Sequence, residues 1–372
     1  MAFSSLVIPA LLLACNFIYR PISQPAISAP SNNAPEPAGA TVLPPAPDPN
    51  SVAEDAYLAD LEGCPLFPAD NIWNVRIDAL PVHPLSADYI RSIGEQTGLH
   101  PDFGTWWEGG PIGIPYNVVP GNQPGVEVAF EYDSESDPGL YPIPQDPQIE
   151  GGPQSDGDRH VLVLDRDHCM LYELFSSYPQ QDGSWEAGSG AIFDLHSNAL
   201  RPATWTSADA AGLPILPGLV RYDEIAAGAI QHAVRFTASR TQGSFVWPAR
   251  HEASSISDPG VPPMGQRFRL KASFDVSTFS PPVRVLLNAF KTYGLILADN
   301  GSNWYISGTH DERWADGQIE EMMVEELRQV SGSAFEAVDI SGLMLDADSG
   351  QVRTARGEHQ GWLPLVAQEN SE

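Results

Sequence analysis

Proline and glycine punctuate this chain from end to end, with 35 of one and 32 of the other among 372 residues. Proline removes a backbone donor and fixes φ, and glycine opens the positive-φ corners of tight turns. That density predicts many short strands joined by turns and argues against a helical bundle. The chain can still bury a large core, because 42% of its residues are hydrophobic and only 18% charged.

The runs between the turns read as strands. Residues 160–165 (HVLVLD) are almost continuously apolar, as in a central strand. A turn at 165–168 leads to a second run at 169–178. Asp182-Gly183 then signals the turn before a third, at 185–196, so 160–196 reads as a meander. Further strands are predicted at 126–132, 229–237, 267–274, 295–298 and 303–307, with Asp299 and Asn300 in a tight turn. Helices are few. Ser280-Pro281 places a cap and an N1 proline before Val283, Leu286, Leu287 and Phe290, and Gly294 closes that helix. Two more helices are predicted at 316–330 and near 86–95. The fold class is therefore mainly β (α+β): one large antiparallel β-sandwich-like domain, residues 55–352, with a few peripheral helices.

Residues 1–20 read as a signal peptide or lipoprotein signal. The apolar run from Leu6 to Ala14 ends at Cys15, and Leu12-Leu13-Ala14-Cys15 resembles a bacterial lipobox, which would make Cys15 a lipidation site. A plain cleaved signal is the alternative. Residues 21–54 form a Pro/Ala/Ser-rich tether and 353–372 a polar tail. Both readings put the protein outside the cytoplasm, secreted or lipid-anchored at a membrane. In such a compartment Cys64 and Cys169 can pair as a disulfide; two unrelated buried thiols are the alternative. The net charge of -29 excludes nucleic acid as a partner and disfavours electrostatic docking on anionic lipid.

Chemistry concentrates in three His/Asp pairs spaced two residues apart: His100/Asp102, Asp158/His160 and Asp194/His196. On an extended segment such residues share a face, so each pair can transfer protons or hold a metal. Asp158 and His160, with Glu150 upstream, lead into the 160–165 strand. Carboxylates at a strand mouth serve as acid, base or nucleophile once burial shifts one of them. An acidic turn in solvent is the plainer alternative. Asp194 and His196 end the third run of the meander, whose topology could bring them near the second pair. His100 and Asp102 lie in a Gly/Pro-rich loop with Trp106 and Trp107, where Pro101 argues against a regular interior strand. Aromatic rings in such a loop can stack on sugars, as can Trp205; a buried plug is the alternative reading. Ser189 lies between glycines but lacks the G-x-S-x-G elbow, so a serine hydrolase is disfavoured. His232, in an apolar strand, reads as a core histidine.

Arg250 and His251 sit in WPARH. Arg267, Arg269 and Lys271 alternate with apolar residues along RFRLKASFD, giving one basic face that can hold an anionic ligand or pair across strands with Asp and Glu.

From Cys64 to about Val352 the chain resembles a group of secreted bacterial proteins of unassigned function. CPLFPADNIWN, HPDFG, GIPY, SNALRP, TSADAAGLPI, PGLVRYDE, WPARH, PPMGQRFRLKASFD and YGLILADNGS carry that resemblance. It implies one secreted domain and assigns no site. RFRLKASF is also similar to the basic strand lining the cleft of alginate-lyase-type jelly rolls.

These readings converge on a polysaccharide-active enzyme acting on a polysaccharide or oligosaccharide, foremost a glycoside hydrolase. Its catalytic candidates are Glu150, Asp158, His160, Asp194 and His196. Its substrate-binding candidates are His100, Asp102, Trp106, Trp107, Trp205, Arg250, His251, Arg269 and Lys271. A polysaccharide lyase, a non-catalytic glycan- or partner-binding surface protein and a metal-dependent enzyme are the alternatives. No cofactor is expected, and a divalent metal is the one that fits the His/Asp pairs.

Overall fold

The computed structural model describes residues 60–107 and 109–353. The signal segment with Cys15, the tether and the tail beyond Arg353 lie outside the described residues.

The apolar run at 161–165 has no polar face because both of its faces are covered. Strand Val161–Asp165 lies inside a four-stranded sheet ordered Ser189–Asp194, Met170–Phe175, Val161–Asp165, Tyr116–Val119. Only the last pairing is parallel. Val161 and Val163 face a small core with Tyr141, Ile143, Ile149 and Trp185. That core is closed by a second four-stranded sheet built on Val126–Phe130 and Trp185–Ala187. The alternate residues Leu162 and Leu164 join the main core. There they share space with Val234, Phe236, Phe268, Leu295 and Leu297 of a six-stranded mixed sheet. The result is a layered, β-rich α+β sandwich in which the first sheet is the middle layer.

Most predicted elements form, with instructive departures. The 185–196 run is cut at Gly188. Trp185–Ala187 pairs in the second sheet, and Ser189–Asp194 pairs in the first. A side chain at Gly188 would press on the Phe175 ring at 2.7 Å, so the chain passes between sheets where a glycine permits contact. The basic strand ends early, at Arg267–Leu270. Strand Val234–Ala238 starts later than its sequence suggests. His100–Asp102 is a strand after all. It occupies the edge of the six-stranded sheet, the one place where Pro101 costs no ladder bond.

Helices α1 (Ser86–Ile93), α3 (Pro281–Thr292) and α4 (Ile319–Leu327) lie where helices were predicted, α4 within the 316–330 range. Helix α2 (Tyr222–Ala227) was not foreseen; it is six residues long and ends on Gly228 in the left-handed region. Cys64 and Cys169 form a disulfide, closing a 105-residue separation. Among the described residues no helix is long and apolar enough to cross a membrane.

Candidate functional site

A cleft of about 430 Å³ opens at one end of the first sheet. Its walls come from the residues flanking that end: Asp158, Phe175 and Ser189. The 206–210 loop adds Thr206, Ser207, Ala208 and Ala210. Tyr132, Glu135, His251, Ala253, Asp299 and Asn300 complete it.

Asp299 reaches the cleft through an irregularity in the six-stranded sheet. Strand Leu295–Asn300 runs parallel to Val234–Ala238, but the register passes from Phe236/Leu297 to Thr237/Asp299. Ala298 is the extra residue of a β-bulge, a device that re-aims side chains beside functional sites. The strand therefore continues through Asn300, where a turn was expected.

The carboxyl of Asp299 is mostly buried, with 21% of its side chain exposed, and lies 3.5 Å from Arg235. Arg235 is already committed to Asp209, which is fully buried and accepts two guanidinium hydrogen bonds of 2.9 and 2.8 Å. Burial, followed by the Asp209 charge, pushes Asp299 up to about 8, against the pull of Arg235 and His160. Asp299 thus holds a proton at neutral pH while sitting in a cleft wall. Asp158 differs. It is exposed, and its carboxylate makes no hydrogen bond to another described residue, while its carbonyl accepts from Ser176 at 2.8 Å.

Behind the cleft lies a buried ionic layer. His160 Nδ1 is 2.6 Å from Glu150 Oε2, and its Nε2 is 3.0 Å from the carbonyl of Ala208, a cleft-wall residue. Both ring nitrogens face acceptors, so the imidazolium suits the site. Burial opposes that charge, but Glu150 and then Asp158 raise His160 to about 9. Glu150 is lowered, because the His160 cation outweighs its own burial. Asp102 is raised to about 6 by burial and by the charges of Glu150 and Asp158, with Arg235 opposing. Glu173 is buried on the middle sheet and raised to about 7 by its burial, against the backbone N–H groups of Leu216 and Ile215 that it accepts.

Of the three predicted pairs, Asp158/His160 is joined electrostatically by one member of a second, Asp102, but not by His100. Asp102, Glu150, Asp158 and His160 form one electrostatic group, although only Asp158 lines the cleft. The third pair does not join them. Asp194 and His196 are exposed at the other end of the sheet, where Asp194 accepts the His196 N–H at 2.9 Å. Strand Ser189–Asp194 separates that end from the cleft by about 17 Å at 3.4 Å per residue. The meander brackets the two pairs in sequence but sends them to opposite ends.

His251 lines the cleft. It donates from Nδ1 to the Ala210 carbonyl at 2.8 Å, with Nε2 4.0 Å from Glu135. Arg250 instead binds the Ala347 carbonyl and Asp348. The basic strand is spent on structure: Arg267 donates to the Ile72 and Tyr293 carbonyls, Arg269 to Glu336 and three carbonyls, and Lys271 to Ser333 O. Cross-strand pairing of the Arg269–Glu336 kind is the reading that fits, and no lysine or arginine is among the described residues lining the cleft. His100 stacks on Tyr305 at 4.2 Å, away from the cleft lining. Trp205 is half-buried beside Arg201, which also binds Asp137 and the Glu135 carbonyl. Trp106 and Trp107 are exposed on a separate hairpin. His232 is fully buried between the Ala233 carbonyl and Glu224, as a core histidine should be. Among the described residues, no group of three or more His, Cys, Asp or Glu is arranged to hold a metal ion.

Compared with known families, curated proteins and solved structures, the chain matches none. The site thus rests on its own chemistry. Sequence reasoning missed Glu135, Arg235 and Asp299 as site residues. A signal existed for two of them. Arg235 is a lone cation in the apolar run AVRF, and Asp299 ends the apolar run LILAD, the same strand-mouth position that singled out Asp158.

Proposed function

We propose that the protein is an extracytoplasmic glycoside hydrolase whose cleft cuts a polysaccharide with paired carboxyl groups. One observation carries this reading: two carboxyl groups, exposed Asp158 and mostly buried Asp299, line the same cleft, and burial beside Asp209 favours the protonated form of Asp299. Glycoside hydrolysis needs an acid to protonate the departing oxygen and a carboxylate to act as base or nucleophile. Asp299 is the acid and Asp158 the partner. His251 offers a polar contact to hydroxyls, and Tyr132 and Phe175 supply ring faces for sugar C–H groups. His160 and Glu150 act from behind, holding the Ala208 wall and the loop that ends in Asp158.

The absence of lysine and arginine from the described lining favours a neutral glycan over a uronate, and so a hydrolase over a lyase. The Cys64–Cys169 disulfide supports an oxidising compartment. The test is release of reducing ends from a panel of neutral polysaccharides. Asp158→Asn and Asp299→Asn should each lower the rate by at least about 100-fold with circular dichroism unchanged. Wild-type rates in both variants would refute the assignment.

A further inference from the structure

The hairpin of Trp106–Trp107 and Gly110–Pro111 takes no part in the cleft. Its indoles are 56% and 69% exposed, a costly display of apolar surface for side chains with no task. Trp106 is nonetheless fixed. Its Nε1 donates to Glu312 at 2.7 Å, and its ring meets His310 edge-on, with centres 6.3 Å apart. Tethered through its N–H, the indole still leaves more than half of its surface exposed. Glu312 and His310 also line an open depression of about 590 Å³, together with Tyr116 and Gln148.

The geometry points to a second binding site there, in which a neutral polysaccharide stacks on Trp106 and hydrogen-bonds to the polar floor of the depression. A rigid ring beside phenol, amide, imidazole and carboxylate groups matches the alternating C–H faces and hydroxyls of a sugar. An apolar protein partner would find too many polar groups to desolvate. The acidic lining and the net charge of -29 disfavour anionic glycans. The site also connects to the cleft. A side chain on Gly110 would lie 2.9 Å from the Gly151 carbonyl, so the hairpin packs on the loop that carries Glu150 and Asp158. Gln148, at the start of that loop, lines the depression, and Asp158, near its end, lines the cleft. This inference rests on the glycan-active reading and adds a docking site for a long chain.

The test is affinity electrophoresis of the full chain through gels containing hydroxyethyl cellulose, galactomannan, soluble xylan or alginate. The Asp299→Asn background prevents cleavage during the run. At least one neutral polymer should retard the protein, and alginate should not. Trp106→Ala should weaken binding by about three- to tenfold. Trp107→Ala should bind as before, because neighbouring strand residues point to opposite faces. No retardation by any neutral polymer, or unchanged binding in Trp106→Ala, would overturn the proposal. Equal loss in both tryptophan variants would overturn the placement in the depression. Trp106-dependent binding without cleavage by the wild type would sink the hydrolase reading alone. Cleavage with Trp106-independent binding would sink the docking site alone.

Discussion

Asp299 keeps its proton because three circumstances coincide at one carboxyl. It is removed from most water, it faces the charge of buried Asp209, and the nearest cation, Arg235, is already engaged by Asp209 in a two-point pair. The same physics makes stability depend on pH. Asp299, Glu173 and Asp102 titrate at about 8, 7 and 6 when folded. Unfolded carboxyls titrate near 4. The folded form binds these protons more tightly, so each group costs stability as pH rises from about 4 through its folded value. His160 titrates at about 9. Its contribution is complete below its unfolded value of about 6.5 and is lost as pH rises through 9. Glu150, Glu224 and Asp70 are lowered, and their stabilisation is in place once pH exceeds the unfolded carboxylate range. Thermal melts should therefore show a midpoint that falls steadily from pH 5 to pH 9. A flat or rising midpoint would contradict this charge layer.

At the level of elements, the legible pieces were those with strong local patterns. VLVLD suggested a central strand and is one, and the Ser280-Pro281 start and Gly294 stop bounded α3. The glycine is required there. Its φ is +71°, and a side chain would collide with the Phe268 carbonyl of the neighbouring strand. Gly294→Ala should lower the unfolding free energy by at least about 1 kcal/mol in urea titration, since alanine tolerates neither the conformation nor the approach. Unchanged stability would show that the α3-to-strand corner can relax. What the sequence hid were departures from periodicity. The HPD segment was read as a loop, because Pro101 bars an interior strand and nothing local says that this one is an edge. Gly188 was read as strand interior because the change of sheet is a tertiary event. The bulge at Ala298 left no mark, so Asp299 was placed in a turn and not among the singled-out carboxylates, although Asp158, which lines the same cleft, was.

Across the whole molecule, the middle sheet divides the labour. One end carries the cleft, and the other carries the Cys64–Cys169 disulfide together with the Asp194/His196 turn. Chain-entropy arguments assign about 4–5 kcal/mol to closing a loop of roughly 100 residues. Replacing both cysteines with serine should lower stability by that order in urea titration and leave turnover per folded molecule intact, because the bond lies away from the cleft. Lost activity in the folded double variant would show that the two ends are coupled. Sequence reasoning reached the layered β-rich fold and one face of the site. It could not say which His/Asp pairs meet, since i and i+2 spacing fixes a face but not an end of the sheet.

The most direct measurement compares wild type and Asp299→Asn on two substrates of the same sugar, the natural polysaccharide and its 2,4-dinitrophenyl glycoside. The polysaccharide's departing oxygen needs a proton, and dinitrophenolate departs without one. If Asp299 is the acid, Asp299→Asn loses at least about 100-fold on the polysaccharide and far less on the aryl glycoside. An equal loss on both substrates, or no loss on the polysaccharide, would contradict the assignment of Asp299 as the acid of the cleft.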